Sequence, residues 1–197
     1  YRRGNGRCGE ESVFTVNALR SVGVPARQVY APKWSHCDDN HAWVEVFVDG
    51  EWHFLGACEP EEVLDTGWFS GPANRAILIH TRNFSDYVKE SNEEYLGKEG
   101  ALYYFNHTDF YGRTKLVKIL VKDENGKPAA GAHIAVEILN MAEFFPAAVM
   151  IADADGEVRM TLGLGDIRVR AFDGIRRAEA MMRIEEEDSL ELVLQLS

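Results

Sequence analysis

The chain has 197 residues, of which 46% are apolar and 27% charged, a globular composition with enough material for one or two domains with buried cores. Its 21 Lys and Arg face 32 Asp and Glu, and the formal charge of -11 repels phosphate backbones and anionic lipid surfaces, so nucleic acid is not expected as a partner. No apolar run approaches the roughly 18 residues a transmembrane segment needs.

The first residue is Tyr1, not Met, and it opens into a charged, Gly-containing stretch, which reads as a chain truncated or processed at its N-terminus. Val13, Val16, Ala18, Leu19 and Val22 then recur at helical spacing, predicting a helix from Cys8 or Gly9 that Gly23-Val24-Pro25 stops. Ala26 to Tyr30 reads as a short strand, and a loop from Pro32 to Asn40 leads into a strand from His41 to Val48. Asp49-Gly50 is a hairpin turn, and Glu51 to Ala57 returns antiparallel. A helix followed by an antiparallel meander predicts an α+β domain. Ala76 to Ile79 reads as its last strand, and Ser85 to Tyr111 as a polar connection.

From Thr114 onward the pattern changes to the strand period. Val117, Ile119 and Val121 share one face, as do Ala132, Ile134, Val136 and Ile138, then Val158, Met160 and Leu162, and last Leu190, Leu192, Leu194 and Leu196. Turn signals at Asp123 to Gly126, Asp153 to Gly156, Gly163 to Asp166 and Asp173-Gly174 separate these runs. The expected division is a core with its connecting segment over 1–112 and an all-β sandwich over 113–197. The acidic run Glu185 to Asp188 reads as a solvated turn.

The three cysteines, Cys8, Cys37 and Cys58, are too few for a disulfide scaffold, and the odd count leaves one thiol free. Cys8 falls where the predicted helix begins, and there the unpaired backbone N–H groups and the positive dipole end favour a thiolate. The alternative is a cysteine packed as a small hydrophobe. His41 opens a strand whose Ala42, Val44, Val46 and Val48 form one face, so His41, Trp43, Glu45 and Phe47 point the other way. A histidine at the mouth of a strand can accept a thiol proton.

Gly6-Arg7-Cys8-Gly9-Glu10, Gly23-Val24-Pro25-Ala26-Arg27, Asn40-His41-Ala42-Trp43-Val44-Glu45-Val46 and Asp49-Gly50-Glu51-Trp52, in that order, resemble the transglutaminase-like superfamily, relatives of papain-like cysteine proteases. The resemblance spans about residues 4 to 69 and implies an α+β papain-like core with a helix and an antiparallel sheet. It further implies Cys8 as the nucleophile that forms a thioester from an amide or peptide carbonyl, and His41 as its base. The family's third member, an Asp on the return strand, would fall at position 56, where this chain has Gly56. The nearest carboxylate is Glu59, which could orient His41 only if the chain bends at Gly56-Ala57; Asp38, Asp39 and Asn40 are the other candidates. Trp34, Trp43 and Trp68 are candidates to wall a substrate cleft, with core packing as the alternative use of each, whereas Trp52 is assigned to the sheet.

No Cys-x-x-Cys or His-Glu-x-x-His pair is present, so neither a metal nor another cofactor is expected. In an oxidising compartment Cys37 and Cys58 would form a disulfide, leaving Cys8 free. Val121 to Pro128, Gly131 to Ile134 and Ala152 to Val158 resemble carboxypeptidase-regulatory-like and transthyretin-like sandwich modules of bacterial envelope proteins. Together the resemblances imply a secreted, periplasmic or cell-surface bacterial protein acting on a peptide or protein substrate as a hydrolase or acyl transferase. The rival is a catalytically weak or inactive module that binds a protein or ligand at the envelope, with Gly56 as its mark of decay.

Overall fold

The computed structural model describes residues 4–84, 93–185 and 190–197. Helix α1 (Cys8–Ser21) starts after Arg7, whose backbone N–H donates to Glu10 Oε2 at 2.9 Å, and stops before Gly23, which takes a φ of 85°. Its inward residues Val16 and Leu19 pack on Ala26, Val44 and Val46 of the first sheet. That sheet joins β1 (Ala26–Ala31), β2 (His41–Val48), β3 (Glu51–Leu55), β4 (His80–Asn83), β5 (Glu94–Glu99) and β6 (Leu102–Asn106) in the order β3-β2-β1-β4-β6-β5. Every pairing in it is antiparallel. Its other face buries Val29, Ala31 and Trp43 against Trp34, Phe69 and Tyr111, using the short helices α2 (Ser70–Ala73) and α3 (Thr108–Tyr111).

Two further sheets follow. One is β10 (Glu157–Gly163), β7 (Thr114–Lys122) and β13 (Leu190–Gln195), and the other is β12 (Arg177–Ile184), β11 (Gly165–Phe172), β8 (His133–Asn140) and β9 (Glu143–Ile151). Val117, Ile119, Val121, Ile134, Val136, Ile138, Met160 and Leu162 fill one core between them, as the period-two reading requires. This is a β-sandwich.

The expectation of an α+β papain-like core is corrected by the strand content: strands make up 48% and helices 12%, arranged in three sheets, so the chain is mostly β. Among the described residues only α1 supplies a helix of useful length. The stretch read as a connection folds instead as the β5–β6 hairpin, where the Tyr95 ring tilts against Phe105 at 5.8 Å across the strands. Residues 85–92 of that stretch lie outside the described residues, as do residues 186–188 of the acidic run. The strand expected over Ala76 to Ile79 lies at His80–Asn83 instead. Ile77 and Leu78 run as a buried linker into the sandwich core, where the Ile77 carbonyl accepts from the Gly163 N–H at 2.9 Å. A side chain at Gly163 would collide with the Ala76 carbonyl, so the two units approach through glycine.

On β4, His80 is 5% exposed and lies between the rings of Tyr30 and Tyr104, at 6.1 and 5.1 Å. Burial, helped by the Arg82 charge, pushes its pKa from 6.5 to about 3. An imidazole depressed in this way costs nothing above its unfolded value of 6.5, and as pH falls toward about 3 the unfolded chain binds the proton first. The unfolding free energy from urea titrations is therefore expected to fall through this window by up to about 1.4 kcal/mol per pH unit from this group. The variant His80→Gln should show a shallower slope than the parent chain; equal slopes would exclude His80 as the source.

Candidate active site

Strand alternation on β2 puts Ala42, Val44 and Val46 under α1 and leaves His41, Trp43 and Glu45 on the opposite face. The His41 ring, 6% exposed, stacks on Trp43 at 5.7 Å and tilts against Phe69 at 5.0 Å and Trp68 at 4.8 Å. Its Nε2 is buried without a hydrogen-bond partner and lies 3.8 Å from Glu59 Oε1. The same carboxylate oxygen accepts from Trp68 Nε1 at 2.5 Å, which fixes the carboxylate over the ring. Burial lowers the His41 pKa, and the charges of Glu59 and Asp39 oppose it. The ring is accordingly neutral at neutral pH, the form that accepts a proton.

Glu59 reaches His41 through a bend directly after β3. A Cβ on Gly56 would come within 2.8 Å of the Glu59 carbonyl, so only glycine lets the chain fold back there. Asp65 pins the far side of this loop: its carboxylate accepts from the Phe54 N–H at 2.8 Å and stands 2.7 Å from His53 Nδ1. Asp38 and Asp39 do not contact the ring. Asp38 accepts from the Met141 N–H at 2.6 Å, and Asp39 pairs with Arg7 at 3.4 Å.

Cys8 is the first residue of α1, partly exposed, on the wall of a cavity of about 440 Å³ that Arg7, Gln28, Tyr30, Asn40 and Arg82 also line. Gln28 Nε2 donates to Gly9 O at 3.0 Å and to Ser12 Oγ at 2.8 Å, tying the first turn of α1 to β1. Cys8 approaches the sheet on the face that carries α1 and His41 lies on the other, at the end of the sheet where Ala31 pairs with His41. The Arg7–Asp39 ion pair and Asn40 close that end. Among the described residues no hydrogen bond joins Cys8 to His41.

Trp68 is 56% exposed beside His41, whereas Trp34 and Trp43 are 2% and 0% exposed within the aromatic core. Trp52 lies under the Arg27 guanidinium at 4.0 Å. All three cysteines are free, with Cys37 and Cys58 exposed, so the expected Cys37–Cys58 disulfide is not formed. Desolvation, with a bond to Glu11 and neighbouring carboxylates, pushes the Cys58 thiol up to about 12, which disfavours its thiolate. Among the described residues no group of His, Cys, Asp and Glu is placed to hold a metal, and no helix is long and apolar enough to cross a membrane.

Two supports escaped the sequence reading. Glu45, fully buried, takes bonds from Arg27, His107 and Tyr111, and Tyr111 in turn accepts from Trp43 Nε1 beneath the His41 ring. Asn140, at the tip of the β8–β9 hairpin, donates from Nδ2 to the carbonyls of Trp34 and Cys37, both at 2.9 Å, and accepts from the Asp39 N–H at 3.2 Å. The sandwich thus holds the loop that delivers His41. The turn beyond Asn140 was not legible because Met141 and Ala142 adopt left-handed φ values of 52° and 59° without glycine.

Residues 1–57 match the Transglutaminase-like superfamily. No curated protein matches the chain. Among solved structures it is similar to "Structure of the Streptococcal ancillary pilin", at 12% identity and a TM-score of 0.33 over 93% of this chain, which spans 66% of that protein's length.

Proposed function

We propose that the chain is a cysteine-dependent acyl transferase or hydrolase acting on amide or peptide bonds, with Cys8 as nucleophile, His41 as base and Glu59 as the group that orients the imidazole. The observation that carries this reading is Glu59 Oε1, held by Trp68 at 3.8 Å from His41 Nε2, where a carboxylate takes over the role left empty at Gly56. Sequence similarity of residues 1–57 to the transglutaminase-like superfamily supports it.

In the reaction, Cys8 Sγ attacks the carbonyl carbon while His41 accepts the thiol proton. The C–N bond breaks as the imidazolium returns that proton to the leaving amine, and a thioester remains. Water or a second amine then adds to the thioester, gives its proton to His41, and the S–C bond breaks with the proton passing to sulfur. The backbone N–H of Cys8, unpaired at the start of α1, is a donor for the oxyanion. Trp68 walls the site beside the ring. The resemblance of the sandwich to bacterial envelope modules supports a secreted or cell-surface setting.

The second reading, a binding module with a decayed catalytic pair, is favoured by the lack of a hydrogen bond between Cys8 and His41. Alkylation by iodoacetamide separates the two, with each cysteine followed by mass spectrometry of its peptide. In an enzyme Cys8 reacts about tenfold faster than exposed Cys37 near neutral pH, its rate falls at pH values below the ordinary imidazole range, and His41→Ala removes the advantage. Equal rates and pH profiles for Cys8 and Cys37 would establish the binding module.

A further inference from the structure

The cavity beside Cys8 has a cation that no carboxylate among the described residues neutralises. Antiparallel pairing sets Arg82 of β4 opposite Gln28 of β1, on the same face as Tyr30 and α1. The Arg82 guanidinium carbon lies 4.0 Å over the Tyr30 ring, and the Tyr30 hydroxyl is 3.9 Å from the place where a Gly9 side chain would begin. Thus a short stack leads from the residue after Cys8, through an aromatic ring, to a guanidinium.

The other charges around the cavity are already engaged. Arg7 pairs with Asp39 at 3.4 Å, and the Glu10 carboxylate accepts from the Arg7 N–H at 2.9 Å. Among the described residues no carboxylate pairs with Arg82. Its Nε is buried without a hydrogen-bond partner, and its two terminal nitrogens donate to no described residue. In a chain of net charge -11, a cation left unpaired at the wall of a cavity is a local inversion of sign. A guanidinium with two free terminal nitrogens presents the fork that a carboxylate fills with two parallel bonds. Stacking on Tyr30 fixes the plane of that fork without consuming its donors.

We infer that Arg82 is a specificity residue: the cavity takes an acyl donor that carries a carboxylate close to the carbonyl presented to Cys8. This rests on the proposed role of Cys8 as nucleophile. The carboxylate docks on Arg82 over Tyr30, and the carbonyl then lies toward the first turn of α1. Neutral donors of the same size lose the charge-assisted pair.

The test compares two alkylating agents of nearly equal size, anionic iodoacetate and neutral iodoacetamide, on the full chain, with Cys37 as the internal reference. The iodoacetate-to-iodoacetamide rate ratio at Cys8 is expected to exceed that at Cys37 by about tenfold at low salt and to shrink as salt is added. Arg82→Gln should bring the Cys8 ratio down to that of Cys37, and Arg82→Lys, which keeps a cation over Tyr30, should retain part of it. A Cys8 that reacts rapidly with both agents at the Cys37 ratio, unchanged by Arg82→Gln, overturns the inference and leaves the nucleophile intact. A Cys8 slow toward both overturns the nucleophile reading and this inference with it.

Discussion

Glu59→Gln is expected to cut the steady-state turnover of p-nitrophenyl acetate by about 100-fold or more while leaving the melting temperature nearly unchanged. The substitution preserves shape and keeps the amide oxygen as acceptor for Trp68 Nε1, which now bonds Glu59 at 2.5 Å. What it changes is the charge facing His41. A carboxylate oxygen 3.8 Å from Nε2 favours a proton on that nitrogen and leaves Nδ1 free to act as base. A neutral Gln amide oxygen in the same place lacks that charge and holds the proton on Nε2 less firmly, so the wrong tautomer, with the proton on Nδ1, competes. Glu59 is 43% exposed, so the stability cost of losing its charge is small. The pH profile offers a second readout. Burial already lowers the His41 pKa and the Glu59 charge partly restores it, so the variant's acid limb should move to still lower pH. Turnover within threefold of the parent chain, with an unshifted acid limb, would remove Glu59 from the mechanism.

The same residue shows how far the sequence could be read. Cys8 at a helix start and His41 at a strand start were legible because helical and strand periods are local properties of the chain. The bend that re-aims Glu59 was only conditional, since Gly56 marks a place where the backbone can fold back but not the direction it takes. The sandwich core was legible in Val117, Ile119 and Val121 and their partners, whose alternation is complete and whose turns carry Asp and Gly. Strand β9 was hidden, because Pro146 sits beside a bulge at Ala147 within it and its residues are half exposed on both faces, as edge position allows. The balance of α and β was misjudged for a related reason. β5 and β6 owe their pairing to aromatic cross-strand contacts that no single stretch of sequence displays. Contacts between distant segments, such as Asn140 with the loop before His41 or Arg82 with Tyr30, are set by register and leave no periodic trace.

A further such contact sets the largest stability effect expected in the molecule. Glu45 is 0% exposed, and its carboxylate accepts from Arg27 Nε at 2.7 Å and from the Tyr111 hydroxyl at 2.5 Å, with His107 Nδ1 at 2.8 Å. Burial works against its ionisation, yet the His107 bond, the Arg27 charge and Tyr111 together hold its pKa below the ordinary carboxylate value. A carboxylate depressed in this way contributes its stability above the unfolded value of 4.5 and loses it as pH falls below that. Glu45→Ala removes the anion that Arg27 Nε bonds and leaves this guanidinium, 4% exposed, with Glu93 at 2.7 Å as its carboxylate partner among the described residues. Removing one partner of a buried charge pair of this kind costs about 3–5 kcal/mol, or a drop in melting temperature of about 10 °C in a chain of this size. The double variant Arg27→Met, Glu45→Ala should be more stable than Glu45→Ala alone, because neither charge is then left without its partner. Additive losses in the double variant would mean that the two residues stabilise the sheet independently. The consequence extends to the site, since Tyr111 ties Glu45 to Trp43, on which the His41 ring rests. Glu45→Ala should therefore also reduce the Cys8 alkylation advantage at temperatures well below the transition, where the chain is still folded but the base has lost its support.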